Sequence, residues 1–269
     1  MGRGLRVQQF DCNGMAESCG TAVVTGASSG LGLEFARQLA AEGYGLVLIA
    51  RRREQLEALA AELRWKNQTQ AEVVVADLTD PAEMERVAVH IEALPNLVLL
   101  VNNAGYGAGG RYDQTDTIKQ MAMIALHVVA PARLARAALP GMVARGRGGI
   151  INMASFVAFA RIPKSIIYCS TKKWLVDFSI MLAQDLSGTN VRVQALCPGF
   201  TRTKAMEGKR LPGFLWMTPE AVVQASLHAL PLRRVLYVPG MLYKIIVLVL
   251  RSPFGSLFMR VYMQLKRRR

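Results

Sequence analysis

The sequence predicts a single doubly wound α/β domain, a parallel sheet with helices on both faces. Three observations carry that expectation. Six short apolar runs lack the polar alternation of a half-exposed sheet, so both of their faces should be buried. Stretches of helical length and spacing separate them, which is the rhythm of βαβ units. The residues that follow the runs, Gly26, Arg51, Asp77, Asn103, Ser155 and Pro198, are ones that bind or react, and ligands in such folds lie beyond the C-terminal strand ends.

The first run, Thr21 to Val24, leads into Thr25-Gly26-Ala27-Ser28-Ser29-Gly30-Leu31-Gly32. The glycines permit a sharp turn, and Leu31 to Glu42 has helical apolar spacing. Such a turn aims unpaired N–H groups and the positive end of a helix at one point, a natural seat for a phosphate. Gly45 to Ala50 is the second strand, followed by Arg51-Arg52-Arg53 and a helix to about Arg64. Val73 to Ala76 ends in Asp77, Pro81 to Ala93 is helical, and Leu97 to Val101 ends in Asn102-Asn103-Ala104-Gly105. One long helix is expected over Ile118 to Leu139. The strand Gly149 to Met153 precedes Ser155, a helix follows over Ile166 to Leu186, and Val191 to Leu196 precedes Pro198-Gly199. No internal repeat or linker interrupts residues 21–234.

Composition bounds the function. With 52% apolar and 19% charged residues among 269, the chain is a packed globular protein. Cys12, Cys19, Cys169 and Cys197 form no CxxC pair, so neither a zinc site nor a disulfide framework is indicated, and a reducing, cytoplasmic setting fits. The net charge of +14 is concentrated at one end: from Pro231 to Arg269 there are nine basic residues and no acidic one. Threaded among Leu, Ile, Val and Phe, they suit an anionic membrane surface better than nucleic acid. Residues 1–20 lack the apolar core of a signal peptide and read as a flexible extension. The apolar stretches of 235–269 are broken by Pro239, Gly240, Lys244 and Arg251, so the tail is expected to touch a membrane and not to span one.

Taken together, Thr25-Gly26-x-x-x-Gly30-x-Gly32, Asn102-Asn103-Ala104-Gly105, Ser155, Tyr168-Cys169-Ser170-Thr171-Lys172 and Pro198-Gly199 resemble, in order, the motifs of the classical short-chain dehydrogenases/reductases. The resemblance covers about residues 20–204 and implies a Rossmann fold. It also implies an oxidoreductase that moves a hydride between a nicotinamide cofactor and a carbonyl or alcohol carbon. Tyr168 and Lys172 are four apart, on one helix face, and a neighbouring ammonium favours the phenolate of a residue whose ordinary pKa is about 10. Tyr168 is then the general acid/base, and Ser155 holds the substrate oxygen beside it. Three arginines at the end of the second strand, where an acidic residue would bind a ribose, favour the 2′-phosphate of NADP(H), with Arg51 the foremost choice. The resemblance further implies cofactor contacts at Gly26, Ser28, Ser29, Gly30, Leu31 and Gly32 in the turn and at Asp77 beside the adenine. It implies others at Asn103, Ala104 and Gly105 along the ribose, at Tyr168 and Lys172, and at Pro198, Gly199, Thr201 and Thr203 against the nicotinamide.

One position departs from the pattern. The asparagine that in the family holds a water relaying protons to the lysine is replaced by His127, which can hydrogen-bond through either ring nitrogen or merely fill the helix packing. Phe200 to Met217 should form the substrate loop, and Phe214, Leu215, Trp216 and Met217 suit an apolar ligand. The expected function is therefore NADP(H)-dependent carbonyl reduction, or the reverse, on a lipid-, acyl- or steroid-like molecule. Relatives commonly associate through the helix bearing Tyr168, which implies a homo-oligomer. Two other readings stand beside it: a dinucleotide-binding protein with weak or no catalysis, supported by His127, and a membrane-associated adaptor working through its tail.

Overall fold

The computed structural model describes residues 19–252 and Gly255. Seven parallel strands form one sheet: β1 Thr21–Thr25, β2 Gly45–Ala50, β3 Ala71–Val75, β4 Leu97–Asn102, β5 Gly148–Met153, β6 Val191–Leu196 and β7 Leu236–Tyr237, in the order β3-β2-β1-β4-β5-β6-β7. The chain winds outward from β1 to β3, then returns to β4 and winds the other way. The crevice between the ends of β1 and β4 is thus the switch point at which such sheets bind ligands.

Successive residues of the inner strands enter opposite cores. Val24, Leu46 and Leu48 pack with Phe35, Leu39, Leu56 and Leu63 of α1 (Gly30–Ala41) and α2 (Arg53–Asn67), and with Val222 and Val223 of α7 (Pro219–Ala229). Val23, Val47 and Ile49 face the other way, toward Val87 and Ile91 of α3 (Pro81–Glu92) and Leu134 and Met142 of α5 (Ala130–Ala144). That double burial is why the strands carry no polar alternation. Each fully buried Leu or Phe contributes roughly 1.5–3 kcal/mol. The third layer element, α6 (Ile166–Asp185), closes over β6 and carries Tyr168 and Lys172 in its first turns.

The structure departs from the sequence expectation in three places. The helix expected over Ile118 to Leu139 is instead α4 (Thr117–Ile124), a π-helical turn over Ala125–Val129, and α5. Ala130 N–H reaches back five residues to the Ala125 carbonyl, and Pro131, lacking an N–H, cannot complete the α-helical bond to the His127 carbonyl. The sheet also gains β7, two residues that lie within the stretch assigned to the tail and lengthen its edge beside β6. The next residues form α8 (Met241–Arg251). Lastly, Cys19 is disulfide-bonded where no disulfide was indicated, whereas Cys169 and Cys197 are free.

The continuous helical run Thr117–Ala144 is long and apolar enough to cross a membrane, by length and composition alone. Its buried side chains Met123, Leu134 and Met142 belong to the protein core. Residues 1–18 of the expected extension lie outside the described residues, as do Phe254, Leu257, Phe258, Val261, Tyr262, Leu265 and the terminal basic cluster of the tail.

Candidate active site

The glycine turn follows β1 with no space to spare. Gly26 has φ +67° and Gly30 φ +58°, left-handed conformations that glycine adopts without strain. A Cβ on Gly32 would lie 2.4 Å from the Gly26 carbonyl oxygen and 2.5 Å from Asn103 Nδ2, so the backbone of α1 can meet the turn this closely only through glycine. The turn is latched to the end of β4: Asn103 N–H and Ala104 N–H donate to Thr25 Oγ1 at 2.9 and 3.0 Å, and Asn103 Nδ2 donates to the Thr25 carbonyl at 2.9 Å. The latch holds Asn103, Ala104 and Gly105 beside the turn.

The arginines after β2 divide their work. Arg52 donates from Nη2 to Ser28 Oγ and Ser29 Oγ, both at 2.8 Å, and lays its guanidinium along the turn. Arg51 instead pairs with Asp77 at 3.3 Å and is 70% exposed. The Asp77 carboxylate also accepts from Thr79 N–H at 3.0 Å and Thr79 Oγ1 at 2.8 Å. Partial burial works to raise its pKa, but these donors and Arg51 outweigh it and hold the group below its ordinary value. Arg53 turns away to Glu57 on its own helix.

The second half of the site lies beyond β5. Ser155 is buried, with Tyr168 close by, and its hydroxyl accepts from Val157 N–H at 3.4 Å. The Lys172 ammonium is buried, donates to the Met153 carbonyl at 2.6 Å and stands 5.9 Å from the centre of the Tyr168 ring. Burial dominates both ionisations. It pushes Lys172 down to about 8 and raises Tyr168 above its ordinary value despite the opposing influence of the nearby Ser155 hydroxyl. Desolvation sets the direction for Tyr168, while the closest contact of the ammonium is the Met153 carbonyl. Cys197, buried in the same region, is pushed up to about 12, first by burial, and stays a thiol. Beneath these groups runs a buried polar chain: Asn102 Nδ2 donates to Asn152 Oδ1 at 2.9 Å, Asn152 Nδ2 to Ser179 Oγ at 2.9 Å, and Ser179 Oγ to the Leu175 carbonyl at 2.7 Å. It ties β4 and β5 to α6 and so fixes where Tyr168 and Lys172 stand.

His127 occupies the π-helical turn, 1% exposed, with both ring nitrogens engaged. Nε2 accepts from Tyr106 N–H at 3.2 Å, and Nδ1 lies 3.1 Å from Thr171 Oγ1, which donates to the Tyr168 carbonyl at 3.1 Å. A backbone N–H can only donate, so the proton resides on Nδ1 and points to Thr171. Burial, with Lys172 adding repulsion, lowers His127 to about 2, so the ring is neutral. A Cβ on Gly105 would meet Nε2 at 2.7 Å, which makes glycine necessary at that close approach.

The remaining motif closes the cleft. Pro198 carbonyl accepts from Phe156 N–H at 3.1 Å, and Thr201 Oγ1 donates to the Gly199 carbonyl at 3.1 Å. Thr203 reaches back over the turn, 3.3 Å from where a Cβ on Gly30 would sit. The loop 200–217 is closed at its base by a bridge between Thr201 and Met217. Tyr243 of α8 lies beneath it: its hydroxyl donates to the Leu215 carbonyl at 2.6 Å and accepts from Phe200 N–H at 3.0 Å, and its ring fills the space beside Gly199.

The sequence-chosen residues thus gather at one set of strand ends. Sequence reasoning left out Arg52 as the arginine on the turn, Thr25 as its latch, Thr171 as the partner of His127, and Tyr243. Only Thr25 and Thr171 had a signal, since both stand inside the motifs already noted.

A family profile described as short chain dehydrogenase matches residues 20–212. The chain is 30% identical over 215 residues to a very-long-chain 3-oxoacyl-CoA reductase of Bos taurus, covering 78% of this chain and 68% of the relative. Among solved structures it is similar to a short-chain dehydrogenase from Sphingobium yanoikuyae in complex with NADPH, with TM-score 0.77 and 32% identity over 91% of this chain and 94% of that one. It is also similar to a 7β-hydroxysteroid dehydrogenase, with TM-score 0.83 and 25% identity over 90% of this chain and 96% of that one.

Proposed function

The chain belongs to the short-chain dehydrogenase family, oxidoreductases that use a nicotinamide cofactor, and we propose that it is an NADP(H)-dependent reductase of carbonyl groups on apolar, acyl-type substrates. One observation carries the reading: Ser155, Tyr168 and the buried Lys172 converge across the crevice from a glycine turn that bears Arg52. The turn fits a dinucleotide. Gly32 lets α1 start hard against the turn, which brings the helix N-terminus to where a pyrophosphate would sit, and the guanidinium of Arg52 on Ser28 and Ser29 offers charge to a further phosphate. Asp77, paired with Arg51, borders the adenine end, and Leu31, Ala104, Gly105, Thr201 and Thr203 line the remainder. The similarity to an NADPH-bound relative supports the same choice.

When bound, the nicotinamide supplies the hydride. The protein's own residues do the rest. Ser155 donates to the substrate carbonyl oxygen and fixes it beside the Tyr168 hydroxyl, which delivers the proton that completes the alcohol. Burial holds the Tyr168 pKa above its ordinary value, so the hydroxyl carries its proton at neutral pH and can serve as the acid. Lys172, charged below about pH 8, stabilises the phenolate that Tyr168 leaves behind. His127, neutral and doubly bonded, holds the Gly105-Tyr106 segment against α6. Phe200, Trp216 and Phe156 give the mouth an aromatic wall, with Phe200 and Phe156 rings 5.2 Å apart, which suits a long acyl or steroid-like body. Similarity to the 3-oxoacyl-CoA reductase supports the acyl choice. Peripheral membrane contact through 235–269 at the cytoplasmic side and association into a homo-oligomer complete the reading.

A second reading, nucleotide binding with weak catalysis, draws on His127, whose ring nitrogens are both occupied and leave none to hold a water for Lys172. One assay separates the two. Purified protein is expected to oxidise NADPH in the presence of long-chain 3-oxoacyl thioesters and to prefer NADPH over NADH. Nucleotide binding without turnover on thioesters, steroid ketones or simple apolar ketones contradicts the reductase, and preference for NADH contradicts the role given to Arg52.

A further inference from the structure

A helix on a protein surface normally buries one apolar stripe and shows water a polar face. α8 shows water a second apolar stripe. Of its eleven residues only Lys244 and Arg251 are charged. Tyr243 and Val247 point inward and are buried. On the outward arc Met241, Ile245 and Leu248 follow at i, i+4 and i+7 and are 70%, 54% and 71% exposed, with Leu242 and Val249 beside them. At 3.6 residues per turn, Lys244 and Arg251 fall on one flank of that arc, between the outward stripe and the buried side.

We propose that this outward stripe of α8 lies in the interface of an anionic lipid bilayer and that the substrate mouth opens beside it. Charge selects the occupant. The cations flank the stripe at the level headgroups would take, and from Pro231 to the end of the chain there is no acidic residue to oppose a negative surface. Length fixes the orientation: eleven residues reach about 16 Å, half a bilayer core, so the helix lies in the plane. The coupling to the site is direct. Tyr243, on the inward side of the same helix, holds Leu215 and Phe200 through its hydroxyl and packs its ring 5.1 Å from that of Phe156, the neighbour of Ser155. Phe214, next to Leu215, is 74% exposed on the loop that Tyr243 secures. An apolar ketone dissolved in the bilayer therefore meets the loop without crossing water. This placement of the mouth rests on the reductase reading; the lipid contact does not.

Co-flotation of the full chain with phosphatidylcholine vesicles, with and without phosphatidylglycerol, tests the proposal alongside Leu248→Asp and Ile245→Asp. Binding is expected only with phosphatidylglycerol, weakened at least about tenfold by either substitution. Turnover of a water-soluble ketone should be unchanged in both variants, while turnover of a vesicle-borne ketone falls. Failure of the unmodified protein to bind either vesicle overturns the proposal. So does a dimer in light scattering that Leu248→Asp dissociates without altering vesicle binding, which would make the stripe an interface between copies. If vesicle binding behaves as expected while no ketone is reduced, the lipid contact stands and the reductase reading falls.

Discussion

The two sides of the crevice are built by opposite means. At the end of β1 the working parts are backbone: Gly26 and Gly30 at positive φ, Gly32 with no space for a Cβ, and exposed arginines around them. At the end of β5 they are buried side chains, Ser155, Lys172, Thr171 and His127, whose behaviour is set by loss of water. Shape therefore governs the side that would grip the dinucleotide, and desolvation governs the side that would move the proton. The same buried setting lowers Lys172 to about 8 and His127 to about 2 while raising Tyr168.

Substitutions break this contrast in graded ways. The largest effect is expected from Lys172→Met, which should cut kcat by about 10²–10⁴ and leave NADPH affinity far less changed. In the unmodified protein, reduction should decline as pH rises through about 8, where Lys172 loses its charge, and this limb should vanish in the variant. Stopped-flow turnover across pH checks both. On the other side of the crevice, Gly32→Ala should weaken NADPH binding roughly ten- to a hundredfold, because a Cβ 2.4 Å from the Gly26 oxygen forces the turn open. Titration by fluorescence would read it. Arg52→Ala should cost about tenfold in NADPH over NADH preference, the worth of one charge-assisted contact, and Arg51→Ala less, since that guanidinium is committed to Asp77.

A further effect concerns stability and not turnover. A folded-state pKa near 2 against an ordinary 6.5 means that the unfolded chain takes up a proton the folded chain refuses as pH falls below 6.5. Acid therefore costs stability, by about 2 kcal/mol at pH 5 from His127 alone. His127→Asn should flatten denaturation midpoints between pH 7 and 5 relative to the unmodified protein; an unchanged slope would show the ring to be protonated when folded.

The glycine side was the more legible in sequence. Glycine spacing after an apolar run reports a steric necessity, and Gly26, Gly30 and Gly32 meet that necessity in the fold. Which arginine reaches the turn was not legible. Arg51 and Arg52 are neighbours at a strand end, and adjacent side chains leave in opposite directions, one to Asp77 and one to Ser28. On the proton-transfer side the residue types and the four-residue spacing of Tyr168 and Lys172 were readable, but their ionisation was not, because desolvation depends on everything packed around them. The π-helical turn at His127 had a cue in Pro131 that helical periodicity masked. The strand Leu236–Tyr237 is too short to leave a pattern, so a piece of the sheet looked like tail.

The division between grip and chemistry is tested most directly by Tyr168→Phe, with NADPH affinity and single-turnover hydride transfer measured on the same preparation. Binding within about threefold of the unmodified protein with transfer slowed at least about a hundredfold is the expected result. Equal loss of both, or transfer that continues unchanged, would contradict it.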